Sequence, residues 1–345
     1  TSTGFKLATT STSHNADGET YIFLAIRRPD GYVGKPPELG TGVFAMGTGA
    51  SSSTIPNYTS GFPVDLSFRK NKTGTSFWQT SARLIQGKAV WLNSTNAEGS
   101  SSGEMFDSNV GYGADNNGSN FQNWMFKRHA GFDVVTYTAN NTQGHVIAHS
   151  LGRVPEMIWF KNRDNAWHWN VYHKGLNGGT DPQKRHLRLD TNDAEVNLTD
   201  HGMTTADFMN DKMPTATHFE LGDGANPNSG TGKNIAMLFA SVDGISKVGS
   251  YSGSSSAVTL DLGFQPRFIM IRRYNTGGTG WFVFDTVRGI NTGNDPYLEL
   301  DENAAQVNTQ DWVDLTSNGI TINHGMSGGH ATNDNGDSYI YYAHA

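Results

Sequence analysis

Gly152-Arg-Val-Pro155-Glu-Met-Ile-Trp-Phe-Lys161, with Trp169 eight residues on, is a pattern that this chain writes three times. The other copies are Gly61-Phe-Pro63 running to Arg69 and Trp78, and Gly263-Phe-Gln-Pro266 running to Arg272 and Trp281. Three residues past each proline stand Leu66, Ile158 and Ile269, and five past stand Phe68, Phe160 and Ile271. Positions two apart share a face of a strand, so these pairs read as core. A proline at the strand start fits, because it cannot donate to a sheet ladder.

Two further markers keep step with this one. Apolar runs reach a glycine ten residues after their first position in Tyr21 to Gly31, Phe121 to Gly131 and Asn234 to Gly244, and a fourth copy, Tyr339 to Ala345, ends the sequence. Leu92 to Ala97, Leu189 to Ala194 and Leu300 to Ala305 share one spacing, followed by Glu98, Glu195 and Gln306. Ordered markers at one period define a repeat of about 105 residues, the size of one sandwich domain. The expected division is 1–31 as the end of a preceding repeat, then repeats at 32–131, 132–244 and 245–345. Thr1 to Leu7 aligns with Thr316 to Ile322, so the sequence reads as the C-terminal portion of a longer polypeptide.

The expected fold is all-β, with short alternating segments between Asn, Asp and Gly clusters and no long helix-forming stretch. Tandem β-sandwich-like repeats are the leading architecture. The alternative is one joint structure in which three repeats share sheets around a pseudo-threefold axis.

Composition limits function. Among 345 residues there are 41 glycines and no cysteine, 17% of the side chains are charged and the net charge is −7. Disulfide scaffolds, thiolate metal sites and cysteine nucleophiles are excluded. A mildly acidic chain is a poor match for a phosphate-tracking nucleic-acid binder, and no apolar run approaches a membrane span. Gly230-Thr-Gly-Lys233 lacks the helix that a phosphate loop needs and reads as a hairpin turn. Seven histidines between His145 and His218 read as scattered surface groups, so neither metal nor cofactor is expected. No nucleophile elbow appears, and sequence cannot pair the loop carboxylates as a glycosidase would need. The chain is not expected to be an enzyme. The best binding candidate is Trp167-His-Trp-Asn-Val-Tyr-His173, where Trp169 reads as core and His168, Asn170 and Tyr172 share the opposite face. Trp167, His168, Asn170, Tyr172 and His173 are therefore the candidate glycan or receptor contacts, since aromatic and amide groups suit sugar stacking and hydroxyl recognition.

The runs Tyr21 to Pro37, Lys127 to Tyr137 and Leu238 to Tyr251 resemble the C-terminal repeats of large tail-fibre-like virion structural proteins of marine tailed phages, including cyanophages. The resemblance covers essentially the whole chain. It implies a virion component assembled in the host cytoplasm and extracellular in the particle, with other virion proteins and a host-surface glycan or protein as partners. The alternative it leaves is a purely structural decoration, connector or capsid-attached fibre. No catalytic motif carries over. Fibres of this kind imply a homotrimer, and an apolar second strand face in repeats two and three needs cover from a neighbouring repeat or another chain.

Overall fold

The computed structural model describes residues 13, 15–21, 39–51, 54–115, 117–224, 226–290, 293–325 and 332–345. The Thr1 to Leu7 alignment and nearly all of the Tyr21 to Gly31 copy lie outside them. Within the described residues the chain is all-β, built of antiparallel sheets with only 3-10 turns of three or four residues between strands.

Each repeat contributes one large sheet with the same strand order. In the first it runs Phe44–Thr48, Phe121–Phe126, Leu66–Asn71, Gln79–Ala82, Lys88–Trp91, Gly99–Ser100. In the second it runs Phe132–Thr138, Lys233–Phe239, Met157–Asn162, Asn170–His173, Arg185–Arg188, Val196–Asn197. The third has Ser246–Ser252, Ser338–His344, Phe268–Arg273, Trp281–Asp285 and Leu298–Glu299. The closing strand of every repeat is thus inserted beside its opening strand. That placement buries both of its faces, which is why the Phe121, Asn234 and Tyr339 runs are almost continuously apolar.

A smaller sheet lies over the outer face of each large one. It pairs Tyr58–Thr59 with Gly111–Tyr112 in the first unit and His145–Ala148 with His218–Leu221 in the second. In the third, Gly319–Ile322 lies between Val258–Asp261 and Val313–Thr316. Three separate outer cores result, around Phe106 and Tyr112, around Phe160 and Phe219, and around Phe282 and Trp312. These are sandwich-like units. Their inner faces meet in a fourth core that all three share, and Trp78, Trp169 and Trp281 lie in it together with Phe68, Trp159 and Met270. The units keep their own sheets and pool one core.

The apolar second faces that asked for a partner are therefore covered by neighbouring repeats of the same chain. The strand register also corrects the alignment by proline. Arg69 pairs with Gln79, which puts Lys70 opposite Trp78, whereas Phe160 pairs with Asn170, so Lys161 falls opposite Trp169, and Arg272 pairs with Trp281. Leu66 thus matches Met157 and Phe268, one residue off the proline count. Gly61-Phe-Pro63 is one residue shorter than the other two markers, and counting from the glycine restores the match. That glycine is the fixed point because Gly61, Gly152 and Gly263 all have φ between 70° and 83°, where other residues are strained.

The shared core is sealed by contacts that pass around the ring. The Trp78 indole N–H donates to the Glu299 carbonyl at 2.8 Å, Trp169 to Trp91 at 2.8 Å, and Trp281 to Arg188 at 3.0 Å. Each acceptor immediately precedes the marker leucine of another unit. The residue after that leucine, Asn93, Asp190 or Asp301, accepts the backbone N–H of its own unit's tryptophan. Glu98, Glu195 and Gln306 donate backbone N–H groups to Arg163, Tyr274 and Lys72 of the adjoining unit. Buried cations complete the ring. Lys70 and Lys161 donate to the carbonyls of Asn303 and Thr95 at 3.0 and 2.8 Å, and Arg272 donates to that of Asp193. Burial lowers both lysines to about 8.

Candidate functional site

With the inner faces committed to one another, ligand chemistry has to be sought on the outer faces. On the second unit the Asn170–His173 and Arg185–Arg188 strands lie side by side, with Asn170 paired to Arg188 and Val171 to Leu187. Alternation turns Val171 and Leu187 into the shared core and sends Asn170, His186 and Arg188 outward. The small sheet does not reach this end of the large one. A cleft of about 150 Å³ remains, lined by Asn170, His186, Arg188, Val196, His201, Met203, Gly224 and Asn226.

Its floor is polar and unsatisfied. Asn170 is 4% exposed, and its Oδ1 has no hydrogen-bond partner among the described residues. His186 is 5% exposed, and its Nδ1 is equally unpartnered. Burial first, then the neighbouring Arg188, His201 and His168, push the His186 imidazole down to about 3, so it is neutral at ordinary pH. Its ring packs at 5.2 Å from Phe208. Arg188 stands at the mouth, held loosely by Asp193 at 3.4 Å. A buried polar group without a partner costs about 1–3 kcal/mol, which a bound hydroxyl or water recovers. One amide and one neutral imidazole, with a guanidinium above them, suit a small polyhydroxylated group.

The five residues singled out from the sequence separate here. Asn170 lies in the cleft. His168 is half-buried beside it, with Nδ1 2.8 Å from Asp190 Oδ2. Trp167 precedes the strand, half-buried, and its carbonyl accepts from Lys161 at 2.6 Å. Tyr172 and His173 are fully buried and offer no surface to a ligand. Tyr172 shares the cleft face but lies under the small sheet, in the outer core. The side chain of His173 turns inward, and its Nδ1 accepts the Gly175 N–H at 2.9 Å. The surface-histidine expectation is also corrected, because His149, His173 and His186 are buried.

His186, Arg188 and His201 escaped the sequence reading. The signal for the first two was Arg185-His-Leu-Arg188, in which inward Leu187 fixes the outward neighbours. His201 arrives on a 3-10 turn, Leu198–His201, which no periodicity announces.

The carboxyl groups do not assemble a catalytic pair in the cleft. Glu299, raised to about 7 by burial and then by Asp301 and Glu302, lies in the third unit, and Asp301 accepts the Trp281 N–H. Among the described residues no three His, Asp or Glu side chains are grouped as a metal would require, and no helix is long and apolar enough to cross a membrane.

Fold and cleft together define a three-unit β-sandwich chain with a pooled core and a polar outer site. Residues 109–345 match the family described as a domain of unknown function, DUF7483, and the chain belongs to that family. No curated protein and no solved structure matches the chain.

Proposed function

We propose that this chain is a virion fibre or adhesin segment whose outer clefts hold a host-surface glycan, without turning it over. The observation that carries this reading is the pair of buried, unpartnered polar groups, Asn170 and His186, at the floor of an open cleft. Unpartnered buried atoms also occur inside the packed sheets, as at Trp124 Nε1 and Gln122, and these two differ in lining a cleft that opens to solvent. The sequence resemblance to tail-fibre-like proteins supplies the setting, and a single cleft of this size suits one sugar residue of a longer chain. Weak binding per cleft is offset in a fibre by repetition, since linked sites raise effective concentration.

A purely structural role in the particle is the second reading, favoured by the rigid core shared among the units. Adsorption separates them. The purified chain is expected to bind cells of the host bacterium and to slow phage adsorption, with Asn170→Ala weakening binding by about tenfold, the loss of one good hydrogen bond. A folded chain that neither binds cells nor slows adsorption would leave the structural role standing.

A further inference from the structure

The pseudo-threefold arrangement maps the Asn170–Arg188 pair of the second unit onto Gln79–Trp91 in the first and Phe282–Glu299 in the third, each paired across the same two strands. The three positions have different fates. In the third unit the space is filled by rings, with Phe282 at 5.1 Å from Tyr297 and 5.5 Å from Trp312. That unit has an additional small-sheet strand, Val313–Thr316, next to Trp312. In the first unit the space is open. A cleft of about 360 Å³ is lined by Arg69, Ser76, Phe77, Gln79, Trp91 and Phe121.

This cleft combines aromatic walls with a neutralised polar floor. Phe77 is 49% exposed, so about half of its apolar surface faces the cleft and solvent. Arg69 is 2% exposed and bridged to Glu104 at 2.6 Å, so its charge is balanced, yet its Nε has no partner. Gln79 donates from Nε2 to Glu104 at 2.8 Å and to Ser101 at 3.0 Å, and its Oε1 accepts nothing among the described residues. One buried donor and one acceptor thus lie beside the exposed Phe77 and the half-buried Trp91. The apolar C–H face of a sugar ring packs on aromatic faces while its hydroxyl edge needs both hydrogen-bonding senses.

We infer that the first unit carries a second, independent ligand site, and that it takes an uncharged sugar ring stacked against Trp91 and Phe77 with hydroxyls on Gln79 and Arg69. The two clefts then differ in chemistry: the second unit's is cationic at its mouth and small, the first unit's neutral, aromatic and larger. The chain presents two unlike subsites from one repeated design, with the third copy closed. This assignment rests on the recognition reading of the chain but uses different residues.

The test is sugar titration of the full chain followed by nuclear magnetic resonance. Suitable probes are methyl β-glucopyranoside, methyl β-galactopyranoside and N-acetylglucosamine at millimolar concentration. The Trp91 indole signal, assigned by Trp91→Phe, is expected to move saturably with at least one of them. Gln79→Ala and Phe77→Ala are expected to weaken that titration about tenfold, and Asn170→Ala to leave it unchanged. Phe77 is exposed enough that its truncation keeps the fold even where Gln79→Ala does not. A saturable shift at the His186 ring with none at Trp91 overturns the second site and leaves the Asn170 cleft of the second unit standing. No shift at either overturns both. A Trp91 shift insensitive to both variants also overturns the site, because the sugar is then held elsewhere.

Discussion

The indole N–H of Trp281 reaches the carbonyl of Arg188, 93 residues back in the chain, at 3.0 Å. The same bond joins Trp78 to Glu299 and Trp169 to Trp91, so three repeats written in tandem close into a ring. The Arg188 whose carbonyl seals the inner core also sends its side chain to the outer cleft. One short strand therefore serves both faces, with the conserved geometry of the ring positioning the variable chemistry of the rim.

Removing one tie should weaken the whole ring. Trp281→Phe leaves the Arg188 carbonyl buried without its donor, at a cost of about 1–3 kcal/mol. Because the inner core is shared, urea unfolding of the parent chain is expected as one cooperative transition by fluorescence and circular dichroism alike. Trp281→Phe should shift that midpoint downward without splitting it. Three separable transitions would mean three independent domains.

Acid should loosen the same core. His173 and His344 are buried and pushed down to about 3 by burial, and His129 lies 6.2 Å from His344 and is depressed for the same reason. Their folded-state values lie below the unfolded value near 6.5, so the unfolded chain binds protons first. Stability is full above about pH 6.5 and falls as pH drops from there toward 3. His344 stands where the other two units have Phe126 and Phe239, each paired to the matching residue of its post-proline strand. His344→Phe is expected to flatten the dependence of Tm on pH. An unchanged acid slope would show that other groups set it.

Much of this was legible in the sequence. The three markers locate the strands, their spacing marks Trp169 as core, and the all-β class follows from patterning. The alternative had the repeats share sheets, whereas they keep separate sheets and share a core, because periodicity tells which residues face inward without telling what they face. The one-residue slip in the first repeat came from the proline. A shortened Gly-to-Pro spacing moves every side chain to the other face when the wrong residue is held fixed. The cleft was only partly legible. Asn170 sits on a readable strand, but whether the small sheet covers it depends on loop lengths that differ between repeats.

The Arg69–Glu104 pair offers a test of the first unit, whose outer face is polar where the others are apolar. Both groups are buried, and Glu104 also accepts from Gln79 and Ser101. Glu104→Ala strands a buried guanidinium and should cost about 3–5 kcal/mol, measured by urea denaturation. A loss below about 1 kcal/mol would mean that the Arg69 guanidinium does not depend on Glu104 for its charge balance.

The covered inner faces remove the burial argument for a homotrimer. The burial that argued for a homotrimer is met within one chain, so light scattering at micromolar concentration is expected to give 37.5 kDa. A stable species of three times that mass would restore the homotrimer, with its contacts on outer faces or sheet edges.

A crystal structure of the chain soaked with the sugar that best blocks adsorption decides whether the Asn170 cleft is a ligand site. Ring-shaped density is expected in the cleft, with hydroxyl oxygens within about 3.2 Å of Asn170 Oδ1 and His186 Nδ1. Density for the sugar elsewhere on the chain, with only ordered water over Asn170 and His186, would contradict it.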